Sequence, residues 1–226
     1  MSSKKLIGIL EMGKNSTQFY IQLLTQFYGN GKTINSPPYK LVSTDFEAIN
    51  NLLPNRSPKL DQIIAKYLQA MLLEDVESIL IPNITIHETV DAVWSSLDAK
   101  ISIAHPILGT IKRLHQSKRS EAVLFGTAYT MNSQYIRSTF KNANIALEKP
   151  KLKDLKLIDK VRRQVYAGSA SMEILNQFND LVLSYSNETS VILGCTELSI
   201  ASKIINDRIL DMATIQIEEA ISMSIK

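Results

Sequence analysis

Four short, almost uninterrupted apolar runs constrain this chain more than any other feature. They are Lys5–Leu10 (KLIGIL), Ser78–Pro82 (SILIP), Ala122–Gly126 (AVLFG) and Ser190–Gly194 (SVILG). Runs that are continuous rather than alternating suit strands of a sheet covered on both faces. Tyr39–Ser43, Ala143–Leu147 and Ile209–Asp211 are weaker strand candidates. Between them lie stretches with helical spacing of apolar residues: Ser16–Tyr28, Lys59–Glu74, Thr89–Ala99, Pro106–His115, Asn132–Lys141, Leu155–Ala167, Ser171–Ser184 and Ile215–Ile225. Strand alternating with helix predicts an α/β protein with parallel sheets.

The pattern repeats. The run ending at Leu10 is echoed about 115 residues later by the run ending at Gly126, and the run ending at Pro82 is echoed 112 residues later by the one ending at Gly194. Each run opens into a short turn with polar or small residues: Glu11-Met12-Gly13, Asn83-Ile84-Thr85, Thr127-Ala128-Tyr129-Thr130 and Cys195-Thr196-Glu197. The echo predicts two similar Rossmann-like α/β domains, residues 1–100 with 212–226 and residues 101–211. Open α/β sheets bind ligands beyond the carboxyl ends of their strands, and domain interfaces favour pockets. The expected site is therefore the cleft between the two domains.

Composition removes several classes. With one cysteine in 226 residues the chain has no intramolecular disulfide and no cysteine-based zinc site. The net charge of +3 is mild. The basic run Lys149–Arg163 has interspersed acidic residues and no aromatic to stack on bases, so it reads as a solvated helix face rather than a nucleic-acid site. No apolar run approaches the ~20 residues of a membrane helix, and Glu11 interrupts the N-terminal run too early for a signal peptide. The expectation is a cytoplasmic protein that binds neither nucleic acid nor membrane.

The lone cysteine, Cys195, ends the fourth run where a helix begins. A helix N-terminus favours thiolate and lowers a thiol pKa, which makes a nucleophile or a base. A free cysteine is equally often a small buried hydrophobe. Its surroundings, Leu193-Gly194-Cys195-Thr196-Glu197-Leu198, resemble the second cysteine motif of the aspartate/glutamate racemase superfamily. Phe125-Gly126-Thr127-Ala128-Tyr129-Thr130-Met131 is similar to that family's threonine-rich turn, and Ile7-Gly8-Ile9-Leu10 with Met12-Gly13 and Ser16-Thr17 resembles its first glycine-rich turn. Ile81-Pro82-Asn83-Ile84-Thr85-Ile86-His87 resembles the first cysteine motif, His105 follows a strand as a family histidine does, and Asp211-Met212-Ala213 resembles a late Asp-containing turn. The matches are collinear over nearly the whole chain.

The resemblance implies cofactor-independent chemistry, with no metal and no pyridoxal phosphate. Two residues, normally cysteines, work on opposite faces of the substrate α-carbon, one removing a proton and the other returning one. It implies Cys195 and Asn83 as the catalytic positions, and Met12, Thr85, Thr127, Thr130, Lys156 and Thr196 as the substrate-binding ones. Each threonine also has a plain reading as a helix cap. Lys156 has one as a solvated lysine. His87 stands as either a site residue or a polar helix-start residue. Arg56 is a further carboxylate candidate, and Trp94 reads as core.

Three departures stand beside the matches. Asn83 occupies the first cysteine position, and a carboxamide hydrogen-bonds but has no useful proton affinity. Glu11 stands where the family has glycine, placed to repel an anion or to bind an ammonium group, and Gln216 stands for a late histidine. The expected function is an isomerase of racemase type acting on an acidic amino acid or related dicarboxylate through a single thiol. A non-catalytic small-acid binder and a one-thiol decarboxylase of arylmalonate type remain as alternatives. The homodimer common in the family is what the resemblance implies for assembly.

Overall fold

The computed structural model describes residues 6–28 and 38–224. The chain divides into two compact units, one running up to His105 and resumed from Gln216, the other spanning Pro106–Ile215. The first contains β1 (Leu6–Leu10), α1 (Lys14–Tyr28), β2 (Tyr39–Val42), α2 (Phe46–Asn50), α3 (Pro58–Leu72), β3 (Val76–Leu80), α4 (His87–Trp94) and β4 (Ser102–Ile103). The second contains α5 (Pro106–Gln116), β5 (Glu121–Phe125), α6 (Ala128–Asn132), α7 (Gln134–Asn142), β6 (Ala146–Glu148), α8 (Leu152–Tyr166), α9 (Met172–Ser186), β7 (Ser190–Leu193), α10 (Thr196–Ala201) and β8 (Ile209–Asp211). The last helix, α11 (Met212–Ser224), starts in the second unit and finishes in the first.

Each unit is built on a four-stranded sheet, ordered β2-β1-β3-β4 in the first and β6-β5-β7-β8 in the second. Every pairing is parallel. The repeated strand order is the structural form of the sequence echo. The apolar runs are the central strands: Ile7, Ile9 and Leu10 of β1 and all four residues of β7 are buried. Burial on both faces explains why these strands read as continuous rather than alternating.

Helix starts follow their caps. Ser57 Oγ accepts from Leu60 N with Pro58 just inside α3, and Ser171 Oγ accepts from Ile174 N at α9. Leu60, Ile64, Leu68 and Met71 give α3 its buried face, packed with Leu10, Ile79 and Ile81 in one core. Val123, Phe125, Ile158, Phe178, Val191 and Leu198 belong to the other.

Boundaries move where local chemistry overrides the apolar pattern. β3 ends at Leu80 rather than Pro82, because Asn83 N already donates to Ile81 O at 2.7 Å and closes a turn. β6 begins at Ala146, not Ala143, because Asn144 takes φ 57° and Ile145 N returns to Phe140 O to end α7. The helix expected over Asn132–Lys141 is α7, which starts two residues later at Gln134 because the Ser133 hydroxyl caps it, and the turn expected at Thr127–Thr130 continues into a separate short helix, α6. Lys5 and Ile225, at the ends of two expected elements, lie outside the described residues.

Candidate active site

Every residue expected in the site except Lys156 and Arg56 lies in a turn just beyond the carboxyl end of a central strand or at the first residues of the helix after it. In the first unit, β1 leads into Glu11, Met12 and Gly13. Glu11 is half-buried, and its main chain is committed to Val42 O and Thr44 Oγ1 at 2.9 and 2.6 Å. Met12 is buried, and its N–H donates to Thr17 Oγ1 at 3.1 Å. Gly13 takes φ +82°, and a Cβ there would meet Phe46 Cε1 at 2.9 Å, so the turn requires glycine on both counts.

The turn after β3 holds Asn83 firmly. Its Oδ1 accepts from Ile86 N at 3.2 Å, and its carbonyl lies 2.9 Å from His87 Nδ1. A carbonyl only accepts, so Nδ1 carries the proton and Nε2 is left as a lone pair. His87 is fully buried, and Nε2 has no hydrogen-bond partner. Burial, reinforced by neighbouring His105, lowers the His87 pKa to about 3, so the ring stays neutral. The His105 ring stands edge-on to His87 with centroids 4.7 Å apart, and its Nε2 lies 3.2 Å from Asp91 Oδ1. Thr85 is half-buried in the same turn. Behind it, fully buried Gln216 donates to Ala104 O at 2.8 Å and Ile81 O at 3.4 Å, and accepts from Tyr20 O–H at 2.9 Å. The residue standing for a histidine is thus a cross-brace behind the turn.

In the second unit, Thr127 Oγ1 accepts from Thr130 N at 3.0 Å and lies 2.8 Å from Thr130 Oγ1, so the two threonines are cap and partner of α6. The ends of β5 and β7 are drawn together by Gly194 N donating to Phe125 O at 2.8 Å; a Cβ on Gly194 would stand 2.8 Å from Leu124 Cδ1. Cys195 follows, buried at 8% exposure, with extended backbone (φ −157°). Its thiol donates to Glu197 Oε2 at 2.7 Å. Thr196 opens α10, half-buried. Ser199 N donates to Cys195 O at 3.1 Å, and Ser199 Oγ donates to Asp211 Oδ1 at 2.6 Å. Asp211 also accepts from Ala213 N and Thr214 Oγ1. Burial raises the Asp211 pKa against these bonds.

Of the two readings open for Cys195, burial sets the direction of its shift. Burial first, then the adjacent Glu197 carboxylate, raises its pKa well above the ordinary thiol value; Arg162 on α8 opposes this more weakly. The six-residue α10 offers a small dipole, and desolvation outweighs it. Cys195 is therefore a protonated thiol with a carboxylate acceptor beside it. The pair can pass one proton: thiol to Glu197, substrate to thiolate, and back.

Lys156 is exposed on α8. Arg56 is bound to Asp61, with Nη2 to Oδ2 at 2.8 Å, which turns it away from a ligand role. Trp94 packs against the first core. Two groups acting on the thiol were not among the expected site residues. Glu197 is visible in the sequence as a carboxylate two positions after the cysteine, whereas Arg162, 33 residues before it, carries no sequence signal. Among the described residues no cluster of three His, Cys, Asp or Glu side chains is placed to hold a metal ion, and no helix is long and apolar enough to cross a membrane.

No protein-family profile matches the sequence, and no curated protein does. Solved structures do match. A protein named as a candidate Asp/Glu racemase, from Yersinia pestis, superposes with a TM-score of 0.81 at 18% identity, covering 98% of this chain and 100% of that one. An aspartate racemase homologue from Pyrococcus horikoshii gives 0.79 at 20% identity, over 99% and 100%. An aspartate racemase from Picrophilus torridus gives 0.72 at 19% identity, over 97% and 94%. The likeness is one of fold: two α/β domains with parallel sheets.

Proposed function

We propose that this chain, which has the fold of the aspartate/glutamate racemases, carries out cofactor-independent α-proton chemistry of isomerase type on an acidic amino acid, aspartate or glutamate. The observation that carries the proposal is the Cys195 thiol hydrogen-bonded to Glu197 in the turn after β7. An α-proton beside a carboxylate is weakly acidic, so removal needs a thiolate and donors for the charge that develops. Glu197 takes the thiol proton, the thiolate takes the α-proton, and the carbanion keeps the bonding pair as an enediolate. Thr127, Thr130 and Thr196 are the hydroxyl groups at the strand ends of the thiol's own unit, and Glu11, Met12, Asn83, Thr85 and His87 are the polar turn residues at the strand ends of the other. The structural neighbour named as an aspartate racemase supports an acidic amino acid as the substrate class.

The test is solvent deuterium incorporation at the α-carbon of aspartate and glutamate, followed by proton NMR. Exchange in the native protein and its loss in Cys195→Ser support the proposal; no exchange with any of the four enantiomers refutes it. The protonated state of Cys195 also suits a second reading, in which a substituted malonate loses carbon dioxide and the resulting enediolate takes its proton from the thiol. Carbon dioxide release from a malonate panel, abolished by Cys195→Ser, selects that reading.

A further inference from the structure

We infer, resting on the function proposed above and deepening it, that Arg137 binds a carboxylate of the substrate at the carboxyl end of the second unit's sheet. Arg119, Arg162, Arg163 and Arg208 of that unit each hold a protein acceptor: Asp207 for the first, Asp159 for the next two and Asn187 O for the last. Arg137 is different. It is half-buried, and its Nη1 is buried with no hydrogen-bond partner among the described residues. A guanidinium keeps its charge, so it cannot escape burial by giving up a proton. A buried N–H without an acceptor is costly, and more so when it carries charge. An acceptor from outside the chain removes that cost.

The acceptors of the unit are committed elsewhere. Ser133 O receives Arg137 N at 3.0 Å, and Ser133 Oγ receives Ile136 N at 3.3 Å. Asp154 accepts from Tyr185, Glu197 from Cys195, and Asp211 from Ser199 and Thr214.

The fold sets where this cation stands. β5 and β6 pair in parallel, so α7, which joins them, runs from the carboxyl end of β5 back toward the start of β6. A helical side chain leans back over the turn that precedes it. Arg137, in the first turn of α7, therefore leans toward Ser133 and the carboxyl end of the sheet. Thr127 and Thr130 lie at that end, and Cys195 follows the neighbouring strand β7. Ile136 and Phe140 on the same helix are buried, and an apolar border strengthens the pull of a cation on an anion. The planar fork of a guanidinium matches the two oxygens of a carboxylate.

The experiment measures succinate binding by isothermal titration calorimetry at constant ionic strength, for the native protein, Arg137→Lys and Arg137→Met. Succinate has two carboxylates and no stereocentre, so it reads binding apart from turnover. Thermal unfolding without ligand is followed by scanning calorimetry, and α-proton exchange of aspartate and glutamate is measured alongside. Arg137→Met is expected to bind succinate roughly ten- to a hundredfold more weakly. Arg137→Lys, which keeps the charge but not the fork, is expected to lose less. Unliganded Arg137→Met should unfold at or above the parent's temperature, because no internal bond is lost. Unfolding several degrees lower means that the guanidinium is bonded within the chain, and overturns the inference. Equal succinate affinity in the native protein and Arg137→Met, or no binding by the native protein, also overturns it, and α-proton exchange then leaves the proposed function standing. Succinate binding that depends on Arg137, without exchange of any enantiomer, upholds the carboxylate site and overturns the proposed function.

Discussion

Replacing Gln216 with leucine tests how the turn after β3 is held. The side chain has no solvent exposure, and it makes two well-formed bonds, 2.8 Å to Ala104 O and 2.9 Å from Tyr20 O–H, with a longer one to Ile81 O. Ala104 and Tyr20 are themselves fully buried. Leucine fills nearly the same volume but leaves both partners without this bond. A buried polar group deprived of its partner costs about 1–3 kcal/mol, so the two together cost about 2–6 kcal/mol. Burying the apolar leucine offsets about 2 kcal/mol of that. The net loss is about 0–4 kcal/mol, centred on about 2 kcal/mol. Trp94 is the only tryptophan and lies in α4 of the same unit, so its fluorescence reports this unit in a urea titration. With a urea slope of about 2 kcal/mol per molar, the midpoint falls by roughly 1 M. Tyr20→Phe combined with Gln216→Leu is expected to cost less than the sum of the two single changes, because both remove the same Tyr20–Gln216 bond. A Gln216→Leu protein as stable as its parent refutes the cross-brace.

Three further outcomes follow from the same geometry. His87 has a folded pKa of about 3 against 6.5 in the unfolded chain, so its contribution is complete above pH 6.5 and is lost as pH falls toward 3. That loss amounts to about 5 kcal/mol at the acid end, and the Trp94 unfolding midpoint should fall less steeply with acid in His87→Gln than in the parent; equal slopes contradict the buried neutral ring. Because burial and Glu197 both raise the Cys195 pKa, iodoacetamide should label the thiol only at alkaline pH, and Glu197→Gln should move the profile to lower pH. An unmoved profile contradicts the thiol–carboxylate pair. Gly13→Ala, forced to φ +82° against Phe46, should cost about 1–3 kcal/mol in the same urea titration, and a neutral effect contradicts the need for glycine in that turn.

Much of the fold was legible because the central strands announce themselves. The described residues of KLIGIL, with AVLFG and SVILG, are almost all buried, and each run falls within a residue or so of its strand. The two-residue β4 was not legible, since Ser102–Ile103 is too short to carry a pattern. The turns after the strands were legible as places, because polar residues follow each apolar run. Their internal bonds were only partly so. Glu197 stands close enough to Cys195 in sequence to be noticed, whereas His105 and Asp91 meet from separate elements and Gln216 reaches Ala104 across 112 positions. The direction of the Cys195 shift is not legible in the sequence for a physical reason: the helix start is visible from the motif, but burial is a property of the packed core that surrounds it.

The central claim is that one thiol moves the substrate's α-proton. Its most direct measurement is the rate at which the α-proton NMR signal of aspartate and glutamate disappears in deuterium oxide, for the native protein and for Cys195→Ser side by side. The account predicts loss of the signal with the native protein and a signal that persists with Cys195→Ser. Equal rates in the two proteins, or no loss in either, contradict it.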